Sequence, residues 1–131
     1  MINIVLDTNI IVSAALSSEG NPAKIIKLVS INDNIQIYYS PAIHDEYKRV
    51  LSYERLNFSV DKQTRAVNLI EKNGICVQPE TSEIPMPDES DRIFYDTAKA
   101  INAYLLTGNL KHYPEDPQIV TPARFIEVFG K

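Results

Sequence analysis

Residues 3–10, Asn-Ile-Val-Leu-Asp-Thr-Asn-Ile, constrain the rest of the chain most. Val and Ile crowded over so few positions read as a strand buried on both faces, the pattern of a parallel sheet covered by helices. Asp7 stands at the carboxyl end of that strand. In open α/β sheets ligands bind in the crevice beyond the carboxyl ends of the strands, so an acid at that point is placed for chemistry. Asp is also a favoured helix N-cap. This stretch alone leaves capping and chemistry both open.

The same alternation of strand and helix continues along the chain. Ile10, Ile11, Ala14 and Ala15 recur at helical spacing, and Ser17-Ser18-Glu19-Gly20 ends that helix. Asn21 as N-cap and Pro22 at the first position start a second helix, with Ile25, Ile26, Leu28 and Val29 on its core side. Ile35 to Tyr39 is the second strand, and Ser40-Pro41 opens a helix to about Ser52. A helix from Asp61 to Asn73, capped by Ser59 or Asp61, leads into a strand from Ile75 to Gln78. Pro79 to Ser90 has no periodicity and reads as a loop. Asp91 to Asn102 is helical, Tyr104 to Thr107 and Gln118 to Val120 are strands, and Thr121-Pro122 caps the last helix. Such alternation predicts a three-layer α/β/α sandwich, with helices on both faces of a parallel sheet.

Helical angles identify which acids turn inward. With Ile43 at zero and about 100° per residue, Tyr47 falls at about 40°, Leu51 at about 80° and Val50 at about 340°. Glu46, at about 300°, lies on the edge of this buried stripe, while Asp45, at about 200°, faces solvent. In the later helix, with Asp91 at zero, Ala98 falls at about 340°, Phe94 at about 300° and Tyr95 at about 40°. Asp91 is therefore in the middle of the buried face, where it can also serve the helix dipole. Asp96, at about 140°, is expected on the solvated side.

Composition sets the outer limits. The chain's 131 residues suffice for one domain spanning 1–131, and 44% apolar with 23% charged residues is the balance of a soluble globular protein. No run approaches the ~18 apolar residues of a spanning helix, and the N-terminus has no basic segment followed by an apolar stretch and cleavage site. The expected location is the cytoplasm, away from membranes. The lone Cys76 reads as a small buried strand residue, with no internal disulfide open to it. A net charge of −4 argues against gripping nucleic acid by bulk charge.

Right-handed crossovers bring the carboxyl ends of parallel strands to one edge. Asp7, Glu46, Asp91 and Asn109 all follow strands at that edge. Three acids around one crevice repel each other, and hard, oxygen-liganded cations such as Mg²⁺ or Mn²⁺ are the usual remedy. Such a site suits phosphoryl transfer to water. No Ser-His-Asp arrangement, Gly-rich phosphate loop or Cys/His zinc spacing competes with it.

At these residues the sequence resembles the PIN-domain family, in particular the branch of toxins from toxin-antitoxin pairs. The resemblance rests on Asp-Thr-Asn-Ile at 7–10, on Ser40-Pro41 followed by Glu46-Tyr47 and Arg49-Val50-Leu51, on Asp88 and Asp91 before Phe94 and Ala98, and on Leu106-Thr107-Gly108-Asn109. It implies a five-stranded parallel sheet of order 3-2-1-4-5. It also implies an endoribonuclease dependent on Mg²⁺ or Mn²⁺, leaving a 5′-phosphate, with Asp7, Glu46 and Asp91 on the family's acids. A homodimer and a small antitoxin partner that blocks the site follow from the same resemblance. One position departs: many members carry Asp where this chain has Asn109. An amide still offers an oxygen to a metal, yet without charge, so one tightly bound ion is the expectation.

Thr8, Asn9 and Thr107 are candidates for orienting ligands by hydrogen bonds, with ordinary capping or turn roles as the alternative. His44 is expected at the core boundary, and His112 either at substrate phosphate or in a surface loop. Lys48, Arg49, Arg55, Arg92 and Lys111 are the basic residues nearest the edge and the candidates for RNA backbone contact. Two other functions remain open. A phosphatase of the haloacid dehalogenase type also starts from an Asp after the first strand, but needs an acid where this chain has Asn9. A weakened PIN domain would bind RNA or protein without cutting.

Overall fold

Ile4, Val5 and Leu6 are consecutive and each fully buried, so the first strand has no solvent face. The computed structural model describes residues 1–130 and places this strand, β1 (Ile2–Leu6), at the centre of a five-stranded sheet. The other strands are β2 (Ile35–Tyr39), β3 (Gly74–Cys76), β4 (Tyr104–Leu106) and β5 (Ile119–Val120). Their order is β3-β2-β1-β4-β5, and every pairing is parallel. The order reverses at β1, which therefore has a neighbour entered from each direction; this is the switch point where a crevice opens.

Among the described residues, six helices cover the sheet: α1 (Thr8–Leu16), α2 (Asn21–Ile31), α3 (Pro41–Leu51), α4 (Val60–Asn73), α5 (Arg92–Ala100) and α6 (Pro122–Phe129). Two of the cap-plus-proline signals act as local chemistry dictates. Ser40 Oγ accepts from Ile43 N at 3.2 Å, and Thr121 Oγ1 accepts from Arg124 N at 3.2 Å. The third shifts by one residue: α2 takes Gly20 as its N-cap, and Asn21 is already helical. Ser59 caps α4 through Lys62 N. The core fills the space between helices and sheet with Ile4, Leu6, Ile37, Tyr47, Phe94 and Phe125. Among the described residues, no helix is long and apolar enough to cross a membrane.

Other expectations need correction, among them the third strand, which runs over Gly74–Cys76 and not Ile75 to Gln78. The helix expected from Asp91 to Asn102 begins only at Arg92, after a 3₁₀ turn at Glu89–Asp91, and ends at Ala100. Asn102, at φ 53, turns the chain into β4 in the left-handed region that Asn tolerates better than most residues. Cys76 is exposed, because β3 is an edge strand with only β2 beside it. Asp96 is buried instead of solvated. The segment after β3 folds back over that side of α5, and Ser82 donates to Asp96 from its N–H at 2.9 Å and its hydroxyl at 2.5 Å. A helical angle gives direction relative to the sheet, and says nothing of a loop laid over the other side.

Candidate active site

The carboxyl ends of β1 and β4 lie side by side, since Leu6 pairs with Leu106. Asp7 and Thr107 are the next residues on each. Asp7 occupies the N-cap position of α1, yet its side chain makes no capping hydrogen bond. Its Oδ2 instead accepts from Thr107 Oγ1 at 2.9 Å and from Tyr113 OH at 2.8 Å. Among the described residues no donor reaches Oδ1. Thr107 is the hub of this corner, because its hydroxyl also accepts from Asn109 N at 3.0 Å and from Asn9 Nδ2 at 3.4 Å. Asn9 Oδ1 in turn takes Gly108 N at 3.1 Å, which ties the start of α1 to the end of β4.

Glu46 enters from α3, half-buried, and Thr8 Oγ1 donates to its Oε2. Arg49 Nη2 lies 3.6 Å from Glu46 Oε1. The next residue, Tyr47, is fully buried and donates to Leu6 O at 2.5 Å, so α3 is anchored directly beneath Asp7. Burial, with Asp7 and then Glu46 nearby, raises the Tyr47 phenol well above its ordinary range. Tyr113 is pushed up in the same way, by burial first and by Asp7 next. Both phenols stay protonated and act as donors.

Asp91 stands at the N-cap position of α5 and also makes no capping hydrogen bond. Its carboxyl is raised to about 6, first by burial, then by the charges of Asp7 and Asp88, with Glu46 adding and His112 opposing. His112 Nδ1 is 3.1 Å from Asp91 Oδ2, a distance that fits an ion pair. The angle does not fit a hydrogen bond, and Oδ2 is buried without a partner. Asn109 lies beside His112, its amide nitrogen 2.8 Å from Nε2. A cleft of about 440 Å³ opens next to Asn109, walled by Asn9, Ser13, Gly108 and Pro122.

Asp7, Glu46, Asp91 and Asn109 thus gather at one sheet edge, as strand order requires. Asp88 and Tyr113 join them, and neither was singled out as a site residue from the sequence. Asp88 had one signal, its position three residues before Asp91; Tyr113 had none, because its bond to Asp7 spans 106 positions. Arg92 is not free for RNA: its guanidinium binds Glu89 on one side and Ser82 O at 2.8 Å on the other. Lys48, Arg49, Arg55 and Lys111 remain exposed.

A family model describing the PIN domain matches residues 3–111. The chain belongs to the PIN-domain family. Its fold agrees: the crystal structure of VapBC2 from Rickettsia felis, bound to a DNA fragment from their promoter, superposes with a TM-score of 0.59 at 17% identity. That match covers 92% of this chain and 97% of the other, and it compares architecture alone. A full-length relative is the uncharacterized protein MJ1680 of Methanocaldococcus jannaschii, 27% identical over 99% of this chain and 93% of its own length.

The raised Asp91 carboxyl makes the metal-free PIN domain sensitive to pH. Between the ordinary carboxyl value of about 4 and the folded value of about 6, the folded state holds a proton that the unfolded state has released. Stability from this group is therefore complete below about pH 4 and is lost as pH rises through about 6. In EDTA, we expect a loss of about 1–2 kcal/mol from this carboxyl once solvent screening is allowed for. Thermal melts across that range test it. A divalent cation should reverse the loss at neutral pH, and an Asp91→Asn variant should flatten the profile.

Proposed function

We propose that this PIN domain is a metal-dependent endoribonuclease, the toxin of a toxin-antitoxin pair, acting as one nuclease domain over residues 1–131. The observation that carries the reading is the buried, unpartnered Asp91 Oδ2, set among the charges of Asp7, Asp88 and Glu46. A carboxylate oxygen left in that state is costly unless a cation meets it. The donor set is mostly carboxylate oxygen, which fits a hard divalent ion, Mg²⁺ or Mn²⁺. Asp7, Glu46 and Asp91 would hold it, while the amide of Asn109, the fourth residue of the set, faces the His112 ring. When bound, such an ion offsets phosphate charge and makes water a better nucleophile at neutral pH.

The chain's own residues do the positioning. Thr107 and Tyr113 hold Asp7 by one oxygen and leave the other open to a ligand. Thr8 holds Glu46, so both ligands are oriented by neighbouring hydroxyls that lie in the same junction. An RNA strand would lie along the cleft beside Asn109, and exposed Lys111 stands close to it in sequence. Resemblance to the toxin branch supports a homodimer, a cytoplasmic location and a small antitoxin that covers the site.

The test is cleavage of a mixed-sequence RNA by the purified chain. Cutting in Mn²⁺ or Mg²⁺ that leaves 5′-phosphate ends, stops in EDTA and returns with added metal is the expected result. Loss on chelation should be at least about a hundredfold. RNA bound but left intact in both metals would favour a binding module instead, the reading that Asn109 supports by bringing one charge fewer than an Asp.

A further inference from the structure

Three ligating atoms come together, and the family's acids account for only one of them, that of Asp91. Oxygens of Asp88 and Asp91 and a ring nitrogen of His112 all lie within 4.8 Å of one another. Asp91 anchors the group, with 9% of its surface exposed and Oδ2 lacking any hydrogen bond. Asp88 commits only one oxygen to its own turn: Oδ1 accepts from Ser90 N at 3.0 Å and from Ser90 Oγ at 2.7 Å. Its Oδ2 is left for a ligand.

The ring of His112 is held from behind. Its Nε2 sits 2.8 Å from the Asn109 amide, and the Asn109 backbone is pinned to Thr107 Oγ1 at 3.0 Å. The oxygen and nitrogen of an amide are assigned by their partners. With the Asn109 oxygen facing the ring, it accepts Nε2–H and fixes the tautomer whose lone pair is on Nδ1. Nδ1 then lies 3.1 Å from Asp91 Oδ2 with its lone pair directed beside that oxygen, not at it. Two acceptors so close repel unless a cation lies between them, and a ligating imidazole commonly donates its other N–H to such a carbonyl oxygen.

We propose that Asp88, Asp91 and His112 bind a divalent transition metal through two carboxylate oxygens and the His112 ring nitrogen, with Asn109 positioning the ring. This rests on the metal-dependent reading above and specifies the ion. A nitrogen ligand discriminates against Mg²⁺, which is served best by oxygen, and in favour of first-row transition ions such as Mn²⁺. It also gives Asn109 a different task from the Asp of other family members: it acts through the ring, and His112 takes up the missing ligand.

Mn²⁺ is paramagnetic and reports its ligands, so electron paramagnetic resonance of the full chain tests the proposal without an activity assay. Bound Mn²⁺ is expected to show ¹⁴N modulation in the spin-echo signal and to resist competition by Mg²⁺. His112→Gln should remove that modulation and weaken Mn²⁺ about tenfold or more, with Mg²⁺ affected less. Asp88→Asn should weaken Mn²⁺ while the nitrogen signal persists. Asp88 caps one 3₁₀ turn and His112 ends another, each partly exposed, and circular dichroism melts check that the variants fold. Bound Mn²⁺ with no nitrogen coupling, or equal affinity in His112→Gln, overturns this proposal and leaves the metal-dependent nuclease standing. No Mn²⁺ bound by the unaltered chain overturns both.

Discussion

Asp7→Asn is expected to abolish metal-stimulated RNA cleavage while leaving the fold intact. The amide oxygen can still accept from Thr107 Oγ1 and Tyr113 OH, so the contacts that set the geometry survive. What disappears is one negative charge at the centre of the crevice. Removing a ligand of this kind should lower the rate by at least about 10³-fold, equivalent to ~4 kcal/mol of transition-state stabilisation. The same change relieves repulsion on Asp91, whose carboxyl is raised in part by Asp7. In EDTA the variant should therefore melt no lower than the unaltered protein, and its Asp91 should titrate closer to the ordinary range. An Asp7→Asn protein that is folded and still cleaves RNA at full rate would sink the proposed mechanism.

Tyr47→Ala is expected to cause the largest loss of stability. The ring is fully buried, packs against Phe94 with centroids 6.3 Å apart, and places its hydroxyl on Leu6 O. Truncation leaves a cavity between α3, α5 and β1 and should cost about 3–5 kcal/mol in urea denaturation. Tyr47→Phe separates packing from hydrogen bonding, and should cost only about 1–2 kcal/mol. The site should suffer as well, because Glu46 is the adjacent residue on α3 and Leu6 directly precedes Asp7. We expect weaker Mn²⁺ binding by Tyr47→Ala even where the variant remains folded. Equal stability of Tyr47→Ala and the unaltered chain would show that α3 is not anchored through this ring.

Much of the architecture is legible because its causes are local. Ser40-Pro41 and Thr121-Pro122 mark helix starts through bonds that reach only three residues. Continuous burial at Ile4 to Leu6 announces a central parallel strand, and the observed order β3-β2-β1-β4-β5 places it there. Glu46 half-buried beside exposed Asp45 follows from the 3.6-residue repeat alone. The errors share the opposite property. Asp96 is covered by Ser82, fourteen residues earlier, and Arg92 is held by the same Ser82. Cys76 is exposed because no strand follows β3 at the sheet edge.

The sequence by itself determined the alternation of elements and brought Asp7, Glu46, Asp91 and Asn109 to one edge. It could do so because periodicity and capping act within a few residues, and parallel strands share one polarity. The first strand alone left Asp7 divided between capping and chemistry, and the inward angles of Glu46 and Asp91 favoured chemistry. Only the tertiary structure showed that its side chain does not cap: the carboxylate turns away from its helix, toward hydroxyls 100 and 106 positions further along the chain. The pairing of His112 with Asp91 and the unpartnered Asp91 oxygen were decided there too. Burial and distance between remote segments depend on how β4 and the turn after it pack beside β1, and no local pattern encodes that.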